Sequence, residues 1–129
     1  MAGPVKIRRA TISWEGDSLS VLREWPKPIR EDVGVALDEM QEGRHATLPV
    51  RPMPSIAGGV FELKDSDKSK WYRVIYMARR EDVIYVLHCF TKDSAKTEKN
   101  DLATAKARWK EVQRRLREGR KDEKKKQSR

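Results

Sequence analysis

Val60-Phe-Glu-Leu-Lys64, Trp71-Tyr-Arg-Val-Ile-Tyr-Met77 and Val83-Ile-Tyr-Val-Leu-His-Cys-Phe90 decide the fold of this 129-residue chain. The first segment alternates apolar and polar side chains, and the second is rich in aromatic and β-branched residues. The third is nearly all apolar, as a central strand is. Short polar connections, Asp65 to Lys70 and Ala78 to Asp82, join them. Three consecutive strands in an antiparallel meander are therefore predicted.

Upstream, Val5, Ile7, Ala10, Ile12 and Trp14 alternate roughly, which predicts a first strand over Lys6 to Trp14. Glu15-Gly16-Asp17-Ser18 breaks it, and Asp17 or Ser18 can cap a short helix through Glu24. Pro26 and Pro28 end that helix and begin a second, Pro28 to Gln41, since proline suits a first helical turn. Ile29, Val33, Ala36, Leu37 and Met40 line one face of it, and Gly43 is a stop. Arg44 to Gly59, with Pro49, Pro52 and Pro54, is predicted as one long loop. Downstream, Leu102, Ala105, Trp109, Val112 and Leu116 are spaced 3, 4, 3 and 4, which predicts a helix from Lys99 to Gly119, capped by Thr97, Asn100 or Asp101. The order is β-α-α-β-β-β-α, an α+β fold with a small antiparallel sheet, two N-terminal helices and one C-terminal helix. Helices are expected on one sheet face, the other being left open for function. Residues 1–119 form the expected domain and 120–129 a basic, disordered tail.

Hydrophobic residues make up 37% and charged residues 38%, so the core is thin and one domain is the limit. No apolar run approaches the ~20 residues of a membrane span, and Met1-Ala-Gly-Pro opens no secretory signal. Cys89 is the lone cysteine, with His45 and His88 the two histidines, so neither a disulfide nor a zinc site is expected. The expectation is a soluble, cytoplasmic protein without metal or cofactor. Of the net charge of +9, residues 106–129 hold 12 Lys/Arg against 4 Asp/Glu. Such a segment attracts polyanions, whether RNA, DNA or an acidic protein, although Lys124 to Arg129 reads as a solvated end.

An arginine inside an apolar strand is costly unless it meets solvent or an anion, which singles out Arg73. Trp71, Arg73 and Ile75 share a face, opposite Tyr72, Val74 and Tyr76, and His88 shares one with Val86 and Phe90. Lys64, Arg73, Lys92 and Lys96 can converge at one end of the sheet and grip a phosphate. Equally, Glu62 can simply pair with Arg73, His88 can be a packed residue, and Tyr72 and Tyr76 can be core and rim residues. No P-loop, dinucleotide fingerprint or metalloprotease motif is present, so hydrolytic chemistry needs a substrate with its own nucleophile. RNA has one in its 2′-hydroxyl.

The runs Glu62-Leu-Lys64, Tyr72-Arg-Val-Ile-Tyr76, His88-Cys-Phe90-Thr-Lys92, Lys96-Thr97 and Ala103-Thr-Ala105 with Arg108 are familiar in combination. Over roughly residues 58 to 110 the chain resembles the phage-derived HigB-like branch of the RelE/ParE toxin superfamily. The resemblance implies a RelE-like fold and the toxin of a type II toxin–antitoxin system. It implies cleavage of mRNA in the ribosomal decoding site without metal. A cognate antitoxin is the implied partner, with DNA contacted only through it and no membrane. By position, Arg73 is expected to hold the scissile phosphate with Lys64 beside it. Lys92, Lys96 and Glu62 are expected to contact RNA, and His88 and Tyr76 are the candidates for general acid or base. Two departures stand out: Glu98, where many relatives have proline, and the long basic tail. The same fold also serves ParE-like gyrase inhibitors and inactive phage-derived binding modules. The basic cluster favours RNA cleavage over gyrase inhibition, while the binding module stays an open alternative.

Overall fold

A computed structural model describes residues 8–93 and 98–127, with side chains for all of these except residue 79 and residues 120–127. The elements follow as β1 (Thr11–Trp14), α1 (Ser18–Arg23), α2 (Lys27–Gln41), β2 (Val50–Pro52), β3 (Val60–Ser66), β4 (Trp71–Arg80), β5 (Val83–Lys92) and α3 (Lys99–Gln127). Strands β3, β4 and β5 form the antiparallel meander expected of residues 60–90.

The sheet is wider than expected and mixed, with strand order β1-β5-β4-β3-β2. Its first strand runs parallel to β5, from Thr11 opposite Val83 to Trp14 opposite Val86, which corrects the wholly antiparallel expectation. The two helices between β1 and β2 carry the chain from one sheet edge to the other, so the first and last strands end as neighbours. A second correction falls in the predicted loop. There Val50–Pro52 pairs antiparallel with β3, placing Arg51 opposite Glu62. Prolines at 49, 52 and 54 mask the strand pattern, yet an edge strand tolerates a missing N–H.

Helices cover both faces, not one. On the first, Trp25, Ile29, Val33, Ala36 and Leu37 pack against Leu63, Val74, Tyr76, Ile84 and Val86. On the second, Ala105 and Val112 of α3 pack with Met53 and Ile56 over Ile75, Met77, Leu87 and Phe90. The apolar stripe of α3 needs cover, and the first face is already taken by α1 and α2.

Smaller differences have local causes. Asp17 stands at the N-cap of α1 but makes no cap hydrogen bond, because its carboxylate instead accepts from Arg108 Nη2 at 2.8 Å. Strand β4 reaches Arg80 and turns through Glu81 and Asp82, both in the left-handed region (φ 52° and 66°), as a two-residue type I′ hairpin requires. Helix α3 passes Gly119 and continues to Gln127, and no helix among the described residues is long and apolar enough to cross a membrane.

Candidate functional site

Pairing across the meander arranges the predicted residues in rows on the α3 face of the sheet. Lys64, Arg73 and Phe90 form one row, Glu62, Ile75 and His88 the next, and Trp71 stands opposite Lys92 in a third. Arg51 on β2 extends the Glu62 row. His88 reaches this face through an irregularity of β5: Ile75 pairs with His88 but Tyr76 with Val86, so Leu87 is an extra residue. That bulge separates Val86, which packs toward α2, from His88, where unbroken alternation would have kept them together.

Within the rows the charges are matched rather than free. Glu62 and Arg73 are each about 1% exposed, and Arg73 Nη1 donates to Glu62 Oε1, an oxygen that also accepts from Arg51 Nε at 3.0 Å. Arg51 itself is exposed. A bare guanidinium at this depth would be prohibitive, and the shared carboxylate is what makes it tolerable. Lys64 places Nζ 4.7 Å from the Trp71 ring centroid, a cation–π contact. Pro49, Val50, Arg51, Glu62 and Lys64 line a shallow hollow of about 70 Å³.

Around His88 a second network draws on α3. Its Nε2 lies 2.9 Å from Asp101 Oδ1, and its ring stacks on Phe90 at 5.0 Å between centroids. Lys92 Nζ is 2.8 Å from Asp101 Oδ2 and 2.8 Å from Glu98 Oε2. Burial works to raise Asp101, but hydrogen bonds from Lys92 and then His88 outweigh it and hold the carboxyl below its ordinary range. The same bonds, to Asp101 first and then Glu98, hold Lys92 above the ordinary lysine value. On the other side of the imidazole, Arg108 Nη1 donates to the bulge carbonyl of Leu87 at 3.0 Å and lies 3.3 Å from His88 Nδ1.

Lys64, Arg73, Glu62, His88 and Lys92 are thus brought onto one face. Tyr76 is not: it packs on the opposite face, stacked on Phe61 at 5.9 Å, where burial pushes its hydroxyl up to about 12. Lys96 and Thr97 lie outside the described residues. Three contributors escape a reading of the strands alone: Arg51, hidden among prolines, and Asp101 and Arg108 on α3. The latter two had a signal, since Asp101, Arg108 and Arg115 repeat every seven residues and so share one helical flank. A wider hollow of about 550 Å³ lies away from this face, between Trp25, Pro26, Asp67 and Tyr72, and holds none of the predicted residues.

A family model described as Phage derived protein Gp49-like (DUF891) matches residues 20–110, which include Arg51, Glu62, Lys64, Arg73, His88, Lys92, Asp101 and Arg108. No curated protein matches the chain.

Proposed function

Because the chain belongs to the phage-derived Gp49-like family, we propose that it is the toxin of a type II toxin–antitoxin pair and cleaves mRNA on the ribosome. The observation that supports this most is the gathering of Lys64, Arg73, His88 and Lys92 on one sheet face beside Glu62 and Arg51. Cleavage needs no metal when the substrate supplies its own nucleophile. The 2′-oxygen attacks the adjacent phosphorus while the bond to the 5′-oxygen breaks. The products are a 2′,3′-cyclic phosphate and a 5′-hydroxyl. One proton leaves the 2′-oxygen and one arrives at the leaving oxygen.

In this reading a phosphate enters beside Lys64 and the exposed Arg51, while Arg73, buried behind them, holds Glu62 and adds its positive charge from beneath. Lys64 and Arg73 then offset the charge that builds on the phosphorane. His88 is the proton-transfer candidate on this face, with Asp101 and Arg108 fixing its ring. The position of Tyr76 in the α2-side core argues for a packing role instead.

Induced expression followed by primer extension on abundant mRNAs tests the proposal. Cleavage within translated frames, weakened in Lys64→Ala, supports it. Intact mRNA together with DNA-damage signalling would overturn it in favour of a gyrase inhibitor.

A further inference from the structure

Helix α3 has two charged flanks that differ in one respect. On the first, Asp101, Arg108 and Arg115 are all matched: Asp101 by His88 and Lys92, Arg108 by Asp17, and Arg115 by Glu15. On the second lie Lys99, Lys106, Lys110 and Arg117. At 3.6 residues per turn these four fall within an arc of about 40° and extend over about 27 Å of helix. All four are exposed, and among the described residues none is in an ion pair. Arg114, on the outer surface between the flanks, is held by Glu111 and Glu118. Among the described side chains of α3, the cations without an ion pair therefore lie along one straight line.

The orientation of that line follows from two contacts. Arg108 and Arg115 reach Asp17 and Glu15, at the β1 edge of the sheet. Gln113 Nε2, at the opposite margin of the buried stripe, lies 3.4 Å from Met77 Sδ on β4. Hence the free line borders the side of α3 that overlooks β4 and β3, where Arg73 and Lys64 stand.

We propose that this line docks on the phosphate backbone of double-helical RNA, independently of base sequence. The choice of RNA rests on the proposed function; the surface itself does not. Single strands are usually held by aromatic platforms on which bases stack, and this line has none, Trp109 being half-buried with the apolar stripe. A protein partner would seek apolar anchors, whereas among the described residues the apolar neighbours exposed along this line are Ala103 and Ala107. A rigid row of cations suits a rigid row of phosphates, read by shape and charge.

The test uses the full chain and its Lys99→Gln, Lys106→Gln, Lys110→Gln, Arg117→Gln quadruple variant, with unchanged thermal melting as the check on folding. Fluorescence anisotropy measures binding to an RNA hairpin of about 16 base pairs and to an unpaired strand of equal length, across a salt series. The wild type should prefer the hairpin, and four lost phosphate contacts should flatten its log–log salt slope by about 3 to 4 units. An unchanged slope, or equal binding of the unpaired strand, would overturn the inference. So would equally tight binding of poly-glutamate, which would point to an acidic protein. Since binding is read without cleavage, a chain that cleaves nothing but binds the hairpin through these residues upholds this surface while sinking the catalytic reading.

Discussion

The guanidinium of Arg108 occupies the space that a side chain on Gly16 would need. A Cβ at Gly16 would lie 2.5 Å from Nε and 2.6 Å from Nη2 of Arg108, and Gly16 has φ +54°. One glycine thus does two things: it turns the chain from β1 into α1, and it lets α3 come close enough for Arg108 to reach Leu87, His88 and Asp17.

Gly16→Ala should accordingly cost more than its backbone conformation alone. A left-handed alanine is worth about 1–2 kcal/mol of destabilisation, and displacing Arg108 adds to it. In an Arg108→Ala background only the backbone share should remain. Urea unfolding of the two single variants and the double variant measures the coupling. Additive losses would mean that Gly16 and Arg108 do not crowd each other.

Removing Arg73 should weaken the fold as well as any activity. Glu62 would keep Arg51 at 3.0 Å but lose its buried partner, and breaking such a pair commonly costs about 3–5 kcal/mol. The half-exposed second guanidinium should hold the loss near the lower end. Arg73→Met with Glu62→Leu should recover most of the stability, because no charge is then left buried. Chemical denaturation reads this directly; an Arg73→Ala protein as stable as wild type would show that the pair contributes little.

Acid stability should depend on Asp67. Its carboxyl is held down to about 2 by the Tyr72 hydroxyl, which donates to Oδ2 at 2.7 Å, and then by the N–H groups of Ser69 and Lys70. An unfolded aspartate titrates near about 4, so the folded state binds the proton less readily. The stabilisation is then complete above about 4 and is lost as pH falls through that value toward about 2. Melting temperature against pH for wild type and Asp67→Asn should converge across this window. Parallel curves would exclude Asp67 as a source of the acid sensitivity.

What the residues reveal on their own, and what they conceal, follows from the range of each signal. Val60 to Phe90 is legible because alternation in the first strand, β-branched and aromatic content in the second and an apolar run in the third are all local signals. Whether a face is open is not local. The alternation of Trp71, Arg73 and Ile75 says that they share a side, while the roof above Ile75 depends on where α3 lands. Pairing of β1 with β5 joins distant parts of the chain, and although β5 reads as a central strand, nothing in it names β1 as its neighbour. The bulge at Leu87 is also silent in an all-apolar run, and it moved Val86 off the face assigned to His88. By contrast, the seven-residue repeat of Asp101, Arg108 and Arg115 was in plain view and predicts a second contact line on α3.

The contacts of Arg108 and Asp101 favour one tautomer of the neutral His88 ring. Arginine has only donors, so its Nη1 at 3.3 Å from Nδ1 requires Nδ1 to be the acceptor in the neutral ring. The proton is then on Nε2, donated to Asp101 Oδ1 at 2.9 Å. Both neighbours favour the same tautomer, and Arg108 is itself anchored by the Leu87 carbonyl at 3.0 Å and by Asp17 at 2.8 Å. Long-range proton–nitrogen NMR in alkaline buffer should therefore show a single His88 tautomer protonated at Nε2. Arg108→Ala should free Nδ1 and admit the other tautomer, whereas Asp101→Asn, which keeps an acceptor oxygen, should preserve the wild-type pattern. If His88 does exchange protons with RNA, Arg108→Ala should also change the pH profile of cleavage more than it changes substrate affinity. A wild-type spectrum showing the proton on Nδ1 would overturn the assignment and with it the positioning role of Arg108.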